Sequence, residues 1–391
     1  MNVHESEKII AQLSGAGYTK TDSEQTADII IFNTCCIRNT AEQKIISHIG
    51  ETKQSGKIVC IVGCLSQRDG SVESLKKKFP HIAIILGTHN IGQLATELQQ
   101  YISTKKKFSE IIQERTNEDL VQHSAVKNTS TAQSHADSQT AYINITYGCE
   151  NFCSYCIVPY VRGKLISRDF DLIKQELLER LKSNPKIIML LGQNVNSYVC
   201  PTTGADFPTL LESLCKEIAQ SQNSSLRGGK DDEATPTQKP DSVYPLLNFM
   251  SSHPKDFSTR LIEVIAANTQ IERNIHLPLQ SGCDRILDLM NRGYTVAEYE
   301  SKINTLRKAI PNVRITTDII CGFPSETEDD FQQTIDTMKR IRFNAAFIFP
   351  YSRRSGTVAD KMPNQIDSKT KKARSTTLIK IQREISKTIT G

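Results

Sequence analysis

Over the first hundred residues, short runs of consecutive apolar side chains alternate with amphipathic stretches. Ile29-Ile30-Ile31-Phe32, Ile58-Val59-Cys60-Ile61-Val62 and Ile82-Ala83-Ile84-Ile85-Leu86 are too short for helices and carry no polar face, which predicts strands buried on both sides. Glu5 to Leu13 has helical periodicity and is stopped by Gly15 and Gly17. Buried strands separated by helices predict an α/β fold with a parallel sheet over residues 1–102. Between 103 and 140 the pattern dissolves into Lys, Ser, Thr, Gln and His, the composition of a linker. It resumes after Ala141, with strands expected at 142–147, 187–191, 246–250, 274–279, 314–320 and 345–349. Six strands with intervening helices predict a partial (β/α)6 barrel over 141–366. Within it, residues 221–242 hold almost no large apolar side chains and are expected to form a disordered insertion. Asp367 to Lys387 reads as a basic, solvent-facing helix within a last segment, 367–391.

Composition narrows the class without choosing a function. The 391 residues are 38% hydrophobic with a formal net charge of +5, which suits a globular enzyme and permits a polyanionic partner without demanding one. No apolar run reaches the roughly eighteen residues of a membrane span. Met1 to Ser6 lacks signal character, so the expected location is cytoplasmic. Eleven cysteines in a reducing compartment point to metal ligands, catalytic thiols or small core residues rather than disulfides.

Spacing chooses among these. Cys149, Cys153 and Cys156 share one short segment directly after the strand expected at 142–147. Three thiolates in one tight loop hold three irons of a 4Fe-4S cluster and leave the fourth open to a chelating ligand such as S-adenosylmethionine (SAM). The alternative, a structural zinc site, asks for four ligands, and no His or fourth Cys stands nearby. Gly192-Gln193-Asn194-Val195-Asn196, Gln280-Ser281-Gly282, Cys321-Gly322-Phe323-Pro324 and Tyr351-Ser352-Arg353-Arg354 each follow an expected strand, where barrel active sites are assembled. Ser325-Glu326-Thr327-Glu328 reads as a capping box for the helix that holds Phe331 and Ile335.

The spacing of Cys149, Cys153 and Cys156 resembles the C-x3-C-x2-C motif of the radical SAM superfamily. That resemblance implies a partial barrel with the cluster loop after its first strand. It puts Tyr155 beside the SAM adenine, the alternative being a ring that only packs, and makes Gln193, Asn194 and Gly322 candidate cofactor contacts. Asn33-Thr34-Cys35-Cys36-Ile37-Arg38, Val62-Gly63-Cys64-Leu65-Ser66-Gln67-Arg68, Gly192 to Tyr198, Ser252-His253-Pro254 and His276 to Gly282 together resemble the methylthiotransferases of that superfamily. The resemblance implies two 4Fe-4S clusters and SAM, with Cys35 and Cys64 holding the second, sulfur-supplying cluster. It implies methylthio insertion at carbon 2 of an isopentenylated adenosine in the tRNA anticodon loop, by a monomer served by a flavodoxin or ferredoxin as electron donor. Arg162, Arg168, Arg353 and Arg354 are candidate phosphate or carboxylate contacts, with ordinary surface charge as the alternative.

The family pattern is not met everywhere. Relatives carry a strand ending in Gly-Cys-x-Met-Asn, which places one more ligand of the second cluster just before Met1-Asn2, and Cys36 points away from Cys35 on an extended segment. A small RNA-binding β-barrel beyond the position of Gly391 is expected to be absent, and Leu165 stands where the family commonly has Glu. Two readings stay open: a working methylthiotransferase, for this base or for another tRNA base or a ribosomal protein, and a chain that binds one cluster and SAM without finishing the reaction.

Overall fold

In the computed structural model, which describes residues 2–35, 39–113, 139–227 and 245–390, the amino-terminal sheet has the parallel order β1-β2-β3-β4. Its strands are β1 (Ile29–Thr34), β2 (Ile58–Gly63), β3 (Ile84–Leu86) and β4 (Phe108–Glu110). Alternation sorts their side chains. Cys60, Val62, Ile84 and Leu86 face the helices α1 (Asn2–Gly15) and α5 (Leu94–Thr104). Val59, Ile61 and Ile85 face α2 (Asn39–Glu51) and α4 (Ser71–Lys78), while the short α3 (Cys64–Gln67) follows β2 directly. Both faces of the sheet are therefore covered, which is why the runs lack a polar face. The fourth strand corrects the expected boundary: β4 lies inside the segment read as a linker, pairs Ile84 with Phe108, and brings residues up to Glu110 into the first sheet.

Two three-stranded parallel sheets follow in chain order. β5 (Thr140–Asn144), β8 (Ile187–Leu191) and β9 (Leu246–Phe249) pair in that order, as do β10 (Asn274–His276), β11 (Arg314–Cys321) and β12 (Ala345–Pro350). A bridge from Leu247 to Ile271 joins the halves. Parallel neighbours need crossovers, and the helices α7 (Phe170–Leu181), α8 (Phe207–Arg227), α9 (Thr259–Ala267), α10 (Asp284–Leu289), α11 (Val296–Ala309) and α12 (Glu328–Ile341) provide them. Ile143, Ile188, Leu247, Ile275 and Ile315 share one core with those helices. The result is the partial (β/α)6 barrel.

Four details differ from the sequence reading. The strand expected at 142–147 breaks after Asn144, and β6 (Thr146–Tyr147) turns away to pair antiparallel with β7 (Ile166–Ser167). Residues 221–227 of the expected insertion belong to α8, which continues through Arg227; residues 228–242 lie outside the described residues. The capping box is Thr327 with Asp330, while Ser325 takes a left-handed φ of 65° and Glu326 is buried. The last helix faces solvent on one side only. After α13 (Val358–Lys361), α14 (Ser368–Thr390) lays Leu378 and Ile385 on Ile319, Phe331 and Met338, and its Arg374 forms an ion pair of 2.6 Å with Glu326 beneath it. Its many Lys residues occupy the outer face and hide this apolar stripe from a reading by composition.

Candidate functional site

The cysteine loop is the body of a hairpin closed by β6 and β7, where Thr146 opposes Ser167 and Tyr147 opposes Ile166. Gly148 opens it with φ of +70°, and a Cβ at that position would collide with the Gly163 and Lys164 carbonyls. Cys149 therefore begins with its N–H on the Gly163 carbonyl (3.2 Å), and Cys156 ends with its N–H on the Cys153 carbonyl (2.8 Å). The end of α10 and the residues just after it tie the middle down: the Ser154 N–H and Oγ donate to the Met290 and Leu289 carbonyls, and the Asn291 amide donates to the Asn151 and Phe152 carbonyls. Those last two bonds hold Phe152 at a φ of 44°, a conformation a bulky side chain seldom adopts unaided.

Burial pushes the Cys149 thiol up, with Cys153 and Asp256 adding to the rise and the Asn151 N–H and Arg292 opposing it. Burial likewise pushes Cys156 up to about 12, reinforced by Cys153 and Cys149. Three thiols on one loop thus interact electrostatically with one another. Among the described residues no three His, Cys, Asp or Glu side chains converge on a single-ion site. The donor set fits a 4Fe-4S cluster, since each thiolate there bonds a different iron and none needs to crowd a common centre. The same barrel end holds unused hydrogen-bonding capacity. Thr146 Oγ1, Asn194 Oδ1, Asn196 Nδ2, Ser252 Oγ, Gln280 Oε1 and Tyr351 OH are buried without a hydrogen-bond partner, at or just beyond the ends of β6, β8, β9, β10 and β12. Buried polar atoms are normally paired, so this ring fits a ligand with amine, carboxylate and hydroxyl groups, as SAM has.

Two side chains to which the sequence reading gave no role of their own converge on Cys153. Arg292, buried to 4% exposure, donates from Nη1 to Cys153 Sγ (3.3 Å) and to Tyr155 OH (3.4 Å), and from Nη2 and Nε to the Pro278 carbonyl and Tyr294 OH. His253 places Nε2 3.9 Å from the same sulfur while its Nδ1 accepts the Lys255 N–H, so the ring proton belongs on Nε2, facing Cys153. Burial, with Arg292, Lys255 and Lys302 adding, depresses this imidazole to about 2 and keeps it neutral. The Ser252-His253-Pro254 segment was legible only as a family motif. Arg292 had one local sign, the turn made by Asn291 and Gly293, both at positive φ.

The other expected residues divide. Asn194 is held by Asp256, to which its Nδ2 donates at 2.6 Å, and this leaves Oδ1 for a ligand; Gln193 stands beside it, half-buried. Tyr155 is half-buried against the cluster that holds Ile286, Met290 and Phe323, with its hydroxyl accepting from Arg292. Gly322 donates its N–H to Glu326 (2.6 Å), and a Cβ there would collide with Lys371. None of the four arginines is presented free for phosphate. Arg168 is buried between Glu176 and the Asn144 carbonyl, Arg353 pairs with Asp360, Arg354 lies 4.0 Å from Glu42, and Arg162 turns inward.

Arg162 leads to the second pair of thiols. It ends α6 (Val158–Arg162), the short helix after Cys156, and donates from Nε to Cys64 Sγ (3.1 Å). Burial opposes its charge, and Cys64, Glu5 and Cys35 together outweigh burial and raise it. Cys35 follows β1 and Cys64 follows β2, so neighbouring parallel strands deliver both thiols to one sheet edge. Gly63, at φ of +103°, lets those strand ends approach, since a Cβ there would press on the Thr34 carbonyl. Cys64 packs against Ile157 and Val161, and Thr88 Oγ1 donates to the Val161 carbonyl (2.7 Å), so this edge faces the barrel's cysteine loop. Two thiols fit two corners of a second cluster; Cys36 lies outside the described residues. Cys60 is a fully buried strand residue, as expected.

Known proteins share this plan. The model of uncharacterized protein family UPF0004 matches residues 1–87, and that of the radical SAM superfamily matches residues 143–338. The tRNA-2-methylthio-N(6)-dimethylallyladenosine synthase of Pelotomaculum thermopropionicum is 39% identical over 392 residues, covering 99% of this chain and 80% of the relative. The same enzyme of Natranaerobius thermophilus is 40% identical over 400 residues, covering 99% and 80%. Among solved structures, the radical S-adenosylmethionine methyltransferase TsrM from Kitasatospora setae superposes with a TM-score of 0.58 at 14% identity, over 90% of this chain and 73% of that one, which is a likeness of fold. With the likeness to the synthases running from end to end of this sequence, and with a three-cysteine loop seated on a partial barrel beside a two-thiol sheet edge, the chain belongs to the tRNA-2-methylthio-N(6)-dimethylallyladenosine synthase family of radical SAM methylthiotransferases.

Proposed function

We propose that this enzyme inserts a methylthio group at carbon 2 of N6-isopentenyladenosine beside the tRNA anticodon. The observation that carries the reading is identity of about two fifths, over 99% of the chain, to relatives named for that reaction. When bound, the barrel cluster and SAM supply a 5'-deoxyadenosyl radical, and the second cluster supplies sulfur. Cys149, Cys153 and Cys156 hold the first cluster, and Cys35 and Cys64 hold two corners of the second. The unpaired polar atoms from Thr146 to Tyr351 bind the polar ends of SAM, with Asn194 oriented by Asp256. Phe152 and Tyr160, exposed by 48% and 46% beside the cysteine loop with rings 6.2 Å apart, offer a stacking surface to a base turned out of a single-stranded loop. Among the described residues no helix is long and apolar enough to cross a membrane. A cytoplasmic monomer reduced by a flavodoxin or ferredoxin completes the reading.

The test is anaerobic reconstitution of the full chain, incubation with SAM, dithionite and isopentenylated tRNA, and mass spectrometry of the digested nucleosides. Formation of 5'-deoxyadenosine together with the 2-methylthio nucleoside is expected. SAM cleavage without methylthiolation would leave the chain a one-cluster SAM-binding protein, and methylthiolation of another base would move the substrate. Iron analysis separates the first outcome in advance, since two clusters hold about eight irons and one holds about four.

A further inference from the structure

Arg292 is an uncommon kind of buried arginine. It is 4% exposed, yet among the described residues its contacts are a thiol, two phenols and a carbonyl, with no carboxylate in ion-pair reach. A guanidinium cannot discard its charge, and an unpaired buried cation is costly, so the site calls for an anion. The closer of the two hydrogen-bond partners of Nη1 is Cys153 Sγ, and when Cys149, Cys153 and Cys156 become thiolates, negative charge arises at that place. Two of the four contacts brace the cation: the Pro278 carbonyl and Tyr294 OH fix Nη2 and Nε, which aims Nη1 at the sulfur. The neutral His253 approaches the same sulfur and adds a polar hydrogen without a charge.

We propose that Arg292 is the fixed counter-charge of the SAM-cleaving cluster, a positioning residue that raises the cluster's reduction potential through Cys153 and so eases the arrival of the electron. The inference rests on the assignment of Cys149, Cys153 and Cys156 as cluster ligands. Its physics is simple: reduction adds one negative charge to the cluster, and a cation in a dry, low-dielectric contact stabilises the reduced form more than the oxidised one. Charge and hydrogen bonding near the sulfurs are established levers on such potentials.

The experiment is a redox titration followed by electron paramagnetic resonance, on the full chain carrying Cys64→Ala so that the barrel cluster is read alone, compared with the same chain bearing Arg292→Met or Arg292→Lys. With iron content retained, Arg292→Met is expected to shift the midpoint potential clearly downward, and Arg292→Lys to fall between, because it keeps the charge and loses the braced geometry. A role confined to packing moves melting temperature and leaves the potential in place, so an unchanged potential in iron-replete Arg292→Met overturns the proposal. If both variants lose iron, 15N-arginine labelling of the Cys64→Ala chain decides instead, because a guanidinium bonded to Cys153 gives a nitrogen coupling to the reduced cluster and its absence overturns the proposal. Failure of the underlying assignment looks different: the Cys64→Ala chain further carrying Cys149→Ala, Cys153→Ala and Cys156→Ala would keep its iron.

Discussion

Gly148 has φ of +70° and sits where any Cβ would strike the Gly163 and Lys164 carbonyls, immediately before Cys149. An alanine there costs roughly 1–2 kcal/mol for the left-handed backbone alone, and the collision adds to it by prying β6 from β7. Gly148→Ala is therefore expected to lower iron content and SAM cleavage in a chain that keeps all three cysteines; full iron after reconstitution would show that the hairpin tolerates the change. Asp330 shows the same dependence on close neighbours through charge. Burial would raise its carboxyl, but hydrogen bonds from Arg285, Thr327 and Cys283 outweigh burial and hold it well below the usual carboxylate range. A depressed folded value stabilises the protein above the unfolded carboxylate pKa of about 3.9, and that contribution fades as pH falls through the depressed value. Asp330→Asn is expected to cost about 1–2 kcal/mol at neutral pH, a figure held down by the solvent-exposed Arg285. The difference from the parent should shrink below about pH 4, as measured by denaturant melts across pH.

The helix α14 ties the last two barrel strands to the structure behind the SAM site. Its Arg374 is 8% exposed and its partner Glu326 is 1% exposed, and the same carboxylate accepts the Gly322 N–H at the end of β11. Removing one member of a buried pair leaves the other uncompensated, so Arg374→Ala is expected to destabilise the chain by about 3 kcal/mol. The double change Arg374→Met with Glu326→Gln removes both charges and should recover part of the loss. Equal melting temperatures for the parent and Arg374→Ala would contradict the pair's role. Because Glu326 also positions the loop after β11, loss of this pair should disturb a site whose cysteines lie far away in sequence.

The two thiol sets meet at the contact between sheet edge and barrel, through Arg162 on Cys64 and Thr88 on Val161. That arrangement separates the half-reactions. On the proposed assignment, Cys64→Ala removes a corner of the second cluster and touches none of Cys149, Cys153 and Cys156. Formation of 5'-deoxyadenosine should persist while methylthiolation of tRNA is lost, as read by chromatography of both products from one reaction. Retained methylthiolation would mean that sulfur does not arrive through this sheet edge.

Local pattern was enough for the strands, the crossover helices and the cysteine loop. A buried strand needs only a few consecutive apolar residues, and Cys149, Cys153 and Cys156 lie within one turn of chain, so both signals fit in a short window of sequence. The limits of that window explain the errors. Phe108–Glu110 is too short and too polar to announce a strand, and becomes one because Ile84–Leu86 offers it an unpaired edge. The basic composition of α14 describes its outer face, while burial of Leu378 and Ile385 is decided by the barrel beneath. Arg292 and Cys153 are separated by 139 residues, and Arg162 and Cys64 by 98. An arginine reads the same in sequence whether it meets solvent, phosphate or a thiol, because its partner is chosen by how the strands and helices pack. Sequence pattern thus settled the apolar strands and the thiols that are candidates for iron, and tertiary packing alone decided the short polar strands and which charges face those thiols.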